Sequence, residues 1–65
     1  MLEKYTIVND LRSGAQYMIL EFSDLQNAYW CADVTFDDNG NVVTECEHWI
    51  SKYDIDRCIK EGDLL

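Results

Sequence analysis

The stretch Phe36-Asp37-Asp38-Asn39-Gly40-Asn41-Val42-Val43 decides the fold of this chain. It places Asn-Gly between two runs of alternating apolar and polar residues, which is the strongest short-range signal for a β-hairpin. A three-residue loop from Asp38 to Gly40, with Gly40 in the left-handed conformation, would pair Phe36 with Val42 and Trp30 with His48, and keep the apolar side chains on one face. A two-residue turn would place acidic side chains on that face. The sequence therefore predicts the three-residue loop.

The residues before the hairpin extend it into a sheet. The two faces alternate along residues 16–22 as they do in the hairpin, and the turn formers of residues 23–27 follow. Pairing Phe22 with Ala28 and Leu20 with Trp30 would keep the even-numbered residues together on one face. The pattern predicts an antiparallel meander whose four strands cover residues 4–9, 16–22, 28–37 and 41–50.

The C-terminal segment has the pattern of a helix over residues 52–61. Ser51 is a candidate N-cap with Asp54 three residues later, and Gly62 is a natural residue just past the helix end. Leu64 and Leu65 are expected to dock or fray. An apolar stripe on the helix consists of Ile55, Cys58 and Ile59. We predict one α+β domain over residues 1–65, with the helix packed on the even-numbered face of the sheet.

Charge is distributed unevenly along the chain. The formal net charge is −8, yet the segment from Ser13 to Ser51 contains no Lys or Arg. A negative surface repels nucleic acid and anionic membranes and attracts basic protein surfaces. We therefore expect a protein partner, with no direct nucleic-acid or membrane binding. The acidic residues of this segment are Glu21, Asp24, Asp33, Asp37, Asp38, Glu45 and Glu47.

No motif in the chain specifies a reaction. Cys46 and His48 would share a strand face, but a second ligand pair at zinc spacing is missing. The Asp37–Gly40 stretch lacks the essential ligands of a calcium loop. We therefore predict no metal, no cofactor and no enzymatic activity, and we expect His48 to pack beside Trp30. Three cysteines, an odd number, indicate reduced thiols in a cytoplasmic protein.

The odd-numbered face of the predicted sheet is the candidate site. The chosen register places Asp33 opposite Glu45, a destabilising pair of like charges, and Tyr29 opposite Trp49, an aromatic pair. Aromatic side chains ringed by carboxylates suit a docking surface, whereas the alternative is a solvated face whose acids serve only solubility. We predict a partner-binding surface formed by Tyr17, Glu21, Tyr29, Asp33, Glu45, Glu47 and Trp49.

Two functions are consistent with such a face. The first is a small acidic binding or inhibitor protein that docks onto a basic site of another protein, such as one that handles nucleic acid. The composition is similar to that of small acidic inhibitors made by phages and mobile elements, a likeness that rests on no family motif. The alternative is a structural module that forms a homodimer or larger homo-oligomer through the same face. Lys52, Arg57 or Lys60 of the neighbouring copy would then offset the carboxylates.

Overall fold

The protein folds into one antiparallel sheet followed by a single helix. The computed structural model describes residues 2–63, so Leu64 and Leu65 lie outside the described residues. Neighbouring strands follow the chain order β1-β2-β3-β4 across the sheet, and the predicted α+β meander with a C-terminal helix is confirmed. The elements are β1 (Ile7–Asp10), β2 (Ala15–Ser23), β3 (Ala28–Phe36), β4 (Val42–Ser51) and α1 (Lys52–Asp63).

The β3–β4 loop is the three-residue loop that the sequence predicts. Gly40 has a φ of 82°, in the left-handed region, and its N–H donates to the Asp37 carbonyl at 3.0 Å. The Asp37 carboxylate accepts hydrogen bonds from the backbone N–H groups of Asn39 and Asn41, each at 2.9 Å. These bonds, led by the one from Asn41, lower the pKa of Asp37 below its ordinary value. Local chemistry thus fixes the turn.

The register of β3 against β4 matches the prediction only near this turn. It holds as far as Asp33, which lies opposite Glu45 as expected. A β-bulge in β4 then shifts the pairing by one residue, so that Trp30 lies opposite Trp49. The expected pairing of Trp30 with His48 is therefore wrong. From the bulge onward, each residue of β4 shares a face with the β3 residues from which the predicted register separates it, as Trp49 does with Trp30.

A second bulge lies in β2 and shifts the register of β2 against β3 by one residue. Leu20 is the extra residue between two stretches of regular pairing. The expected pairs of Phe22 with Ala28 and Leu20 with Trp30 are wrong, because Phe22 pairs one residue further along β3. The bulge lets both Ile19 and Phe22 turn towards the helix. Strict alternation would place two residues three apart on opposite faces.

The helix packs on the odd-numbered residues of β3, so the expected packing on the even-numbered face is wrong. The two bulges explain the difference, because they turn Phe22 and Ile50 to the side of Tyr29 and add apolar area there. We call this covered face of the sheet the helix side. The buried core on it consists of Val8, Ile19, Tyr29, Cys31, Ile55 and Cys58, and Leu2, Tyr17, Phe22, Ile50 and Ile59 pack against it partly buried.

The start of α1 is capped as the sequence predicts. The Ser51 hydroxyl accepts a hydrogen bond from the Asp54 N–H at 3.1 Å, which satisfies one of the free donors of the first turn. The end differs from the prediction. The helix continues through Gly62 to Asp63, past the predicted end at residue 61, and Gly62 does not adopt a positive φ.

Candidate partner-binding site

The sheet has a second face, which α1 leaves uncovered and which we call the open face. Its side chains alternate with those of the core, apart from the change at each bulge. Ala32 and Val34 lie on it and are only 2% and 7% exposed, although no other helix or strand within residues 2–63 covers this face. Their larger neighbours on the open face must cover them. The open face comprises Ile7, Met18, Glu21, Trp30, Ala32, Val34, Phe36, Val42, Thr44, Glu47 and Trp49.

Two tryptophans pack against each other in the open face. The ring centroids of Trp30 and Trp49 are 5.0 Å apart, with an interplanar angle of 64°. Trp30 donates its indole N–H to a carboxylate oxygen of Glu47 at 2.9 Å, and Glu21 lies opposite Trp30 on the other side. Trp49 remains 41% exposed. The face thus presents a large aromatic surface with carboxylates beside it.

Further apolar side chains extend this aromatic surface towards both edges of the sheet. Phe36 and Val42 form a directly opposed pair at the hairpin end and are 55% and 47% exposed. Ile7 in β1 is 40% exposed and lies opposite Met18. Single exposed apolar residues are ordinary, but a series of them across one uncovered face is typical of an interaction site.

Most cations are engaged in ion pairs at the helix. Arg57 bonds Glu61 at 2.7 Å and Asp10 at 3.3 Å, and Arg12 also bonds Glu61, at 2.9 Å. The hydrogen bonds from Arg57 are the largest cause that lowers the pKa of Asp10 and that of Glu61. These pairs neutralise Asp10 and Glu61 within the molecule.

The acids of residues 13–51, which lie in β2 to β4 and their loops, have no comparable partners in the described structure. The segment 13–51 contains no Lys or Arg, and among the residues that the structure describes none of its carboxylates is bonded to a Lys or Arg from elsewhere. The negative field of the sheet is therefore left uncompensated, and a basic partner would complement it.

Among the contacts within residues 2–63, His48 provides the one ion-pairing contact of segment 13–51, and it lies on the helix side. Its Nε2 is 2.8 Å from an Asp33 carboxylate oxygen, and the Tyr17 ring meets the imidazole edge-on at 5.9 Å. The expected packing of His48 beside Trp30 is wrong, because the bulge moves His48 opposite Cys31. When protonated, His48 would offset the repulsion between Asp33 and its neighbours.

The cysteine and histidine chemistry does not assemble into a site. Burial raises the pKa of Cys31 to about 11, so its thiol stays protonated at neutral pH. Within residues 2–63 no group of three or more His, Cys, Asp and Glu is placed to hold a metal ion. Cys46, exposed at the bulge with a φ of 49°, has no such group around it.

The structure divides the predicted surface between the two faces of the sheet. Tyr29 lies on the helix side, where it is only 2% exposed beneath the helix. The prediction of one continuous face is wrong, because each bulge reverses the alternation on one side of β3. The residues that stay together on the open face are Glu21, Glu47 and Trp49. Those that lie on the helix side are Tyr17, Tyr29, Asp33 and Glu45.

Trp30 and Met18 belong to the open face but were not predicted as site residues. Their even numbers placed them under the helix in the sequence interpretation. One signal could have found them, because β3 is apolar on both faces while the apolar stripe of α1 is narrow. One short helix can cover only one such face, so the other was bound to remain open.

Comparison with family models, curated proteins and solved structures finds no match to this chain. Among residues 2–63 no helix combines the length and the apolar character needed to cross a membrane. The function is therefore inferred from the geometry and charge of the open face.

Proposed function

We propose that this protein is an acidic binding protein that docks its open face onto a basic surface of another protein, without catalysis. The observation that carries the proposal is the Trp30–Trp49 pair, in which Trp30 is half-buried and Trp49 is exposed, with Glu47 bonded to Trp30, on a sheet face that no described element covers. Trp is enriched among the residues that dominate binding energy at protein interfaces. An exposed Trp49 stacked on a second tryptophan in so small a domain is costly for solubility unless a partner covers it.

Charge supports a basic partner. Glu21 and Glu47 flank the aromatic pair, and Asp37 and Asp38 mark the hairpin end of the same sheet. Residues 13–51, which form β2 to β4, contain no Lys or Arg, so the approach of a positive surface to the open face is favoured. The carboxylates would occupy the places of phosphates, and the basic site of a nucleic-acid-handling protein is the kind of target they fit.

The direct test compares a variant of the open face with a matched control. Trp49→Ser with Glu47→Gln removes one aromatic ring and one charge from the open face, while Gln still accepts the Trp30 hydrogen bond. Tyr53→Ser with Asp54→Asn likewise removes one aromatic ring and one charge, but from α1, where Tyr53 is 76% exposed. Wild type, variant and control are used to capture a protein from source-cell extract, and the captured protein is then purified and titrated.

The proposal predicts that wild type and control bind the purified partner equally. The open-face variant should bind on the order of 30-fold more weakly, which corresponds to about 2 kcal/mol, the threshold of a binding hot spot. Wild-type affinity should fall as salt is raised. Equal binding by the variant would contradict the proposal. A stable wild-type dimer that the variant abolishes would instead assign the open face to a second copy.

A further inference from the structure

The outer edge of β4 is a long stretch of backbone without a strand beside it. β4 is the last strand of the sheet and spans Val42–Ser51, whereas the opposite edge strand, β1, has only the four residues Ile7–Asp10. Backbone hydrogen bonds of β4 run to β3, and within residues 2–63 no further segment bonds its outer side. Such an edge is a template for an added strand.

The usual protections of an exposed edge are mostly absent from β4. Natural edge strands carry Lys or Pro, or are short, or bend away at a bulge. β4 contains no Lys and no Pro, and it has ten residues. Besides the charges of Glu45 and Glu47, its protection is the bulge around Cys46, which leaves regular stretches on both sides. The edge is therefore open to a strand of the right charge.

Charge decides which strand can add. Pairing β4 with a second copy about a two-fold axis would centre the contact near Cys46. It would gather Glu45 and Glu47 from both copies around that axis, and like charges at such positions are destabilising. The same two carboxylates attract a strand that carries cations. They thus discourage self-association while leaving the edge available to a basic strand.

Resting on the proposed function, we infer that the partner contributes an extended basic segment that pairs with the outer edge of β4. Its main chain would bond the free edge, as in other cases of strand addition. Lys or Arg side chains would lie beside Glu45 on the helix side and Glu47 on the open face. An apolar side chain would cover Trp49 next to Glu47 and continue the aromatic surface.

The test uses the synthetic seven-residue peptide Lys-Lys-Val-Val-Lys-Lys-Val, which carries both residue types on each face of a strand, titrated into the isotope-labelled protein at low salt. One control peptide has Glu in place of Lys, and another carries backbone N-methyl groups on both edges and cannot form a ladder. Strand addition predicts slowed amide exchange confined to residues 42–51. It also predicts at least 10-fold weaker binding of both control peptides. Equal binding of the N-methylated peptide, or shifts spread over all acidic loops, would overturn the inference.

Glu45→Lys separates the edge from the open face. Glu45 lies on the helix side, so the change leaves the aromatic surface intact, and the introduced lysine lies opposite Asp33, which favours folding. Glu45→Lys should weaken binding of the Lys-Val peptide at least 10-fold. If the peptide fails to pair while partner binding still depends on Trp49, strand addition is wrong and the docking face stands. If the peptide pairs but the Trp49 variant binds the partner normally, the docking face is wrong.

Discussion

The two faces of the same sheet have opposite characters. On the helix side Cys31 and Ile55 are fully buried, and the helix covers a continuous apolar core. On the open face Trp49 and Phe36 are 41% and 55% exposed, and no described element covers them. The same strands supply both faces, so the difference lies in what packs against each. Stability is assigned to one side of the sheet and, we propose, binding to the other.

The ion pairs of the described residues follow the same division. Arg57 at the helix, together with Arg12, neutralises Asp10 and Glu61 inside the molecule. Glu21 and Glu47 on the open face have no cation from this chain in the described structure. Ion pairs within the molecule support the fold, whereas the uncompensated acids remain available to another protein.

The largest expected effect comes from the core of the helix side. Ile55→Ala removes a fully buried side chain, and we expect a loss of about 2–5 kcal/mol in the free energy of unfolding. That is a large part of the stability of so small a domain. Leu25→Ala, at a residue that is 96% exposed, should change it by less than about 0.5 kcal/mol. Urea titration followed by circular dichroism measures both changes in the free energy of unfolding. Similar losses for the two variants would contradict the contrast between the core and the exposed surface.

A smaller effect is expected at the ion pairs of the helix. Arg57→Met removes the partner of both Asp10 and Glu61 while keeping an apolar stem. The urea midpoint should fall by less than for Ile55→Ala and by more than for Lys60→Met in the same helix. Asp10→Asn should then destabilise the protein less when it is added to Arg57→Met than when it is made in the wild type. Strictly additive losses would show that Arg57 and Asp10 are not coupled.

The pH dependence of stability should come from the same carboxylates. Folding lowers the pKa values of Asp10 and Glu61 below their ordinary values of 3.8 and 4.5, because Arg57 bonds both. Their contribution is therefore complete above about pH 4.5 and is lost as pH falls through the lower folded values. Unfolding free energies measured from pH 7 to 2 should show this decline, and Arg57→Met should flatten it. An undiminished decline in the variant would contradict the assignment.

The smallest effect concerns the sheet acids on the helix side. Glu45→Gln removes the charge opposite Asp33 and should stabilise the fold by a few tenths to about 1 kcal/mol. The gain should shrink at high salt. Asp33→Asn removes the same repulsion but also the ion-pairing contact with His48, so it should give less gain. A loss of stability in Glu45→Gln at low salt would show that the two carboxylates do not repel appreciably.

The sequence predicts those parts of the fold that depend on local chemistry. The β3–β4 loop follows from Asn-Gly with the Asp37 side chain, and the helix start follows from the Ser51 cap. The bulges at Leu20 and Cys46 have no local signal. They arise because residues such as Ile19 and Phe22 must both reach the core, a demand that only the packed helix creates.

The candidate site depended on those bulges and was therefore only partly predictable. Glu21, Glu47 and Trp49 were named from the sequence and lie together on the open face. Tyr29 was named with them and is buried in the core. A shift of one residue in a strand exchanges the two faces, so a correct register at the hairpin could not place the residues beyond the bulge.

Both tryptophans of the chain lie on the open face, which gives the central claim a direct measurement. The protein labelled with 5-fluorotryptophan is titrated with the purified, unlabelled partner, and the two fluorine resonances are followed by NMR together with their response to a soluble paramagnetic quencher. Docking of the open face predicts that both resonances shift and that the Trp49 resonance becomes protected from the quencher. Saturated binding that leaves both resonances unshifted and equally quenched would contradict the account.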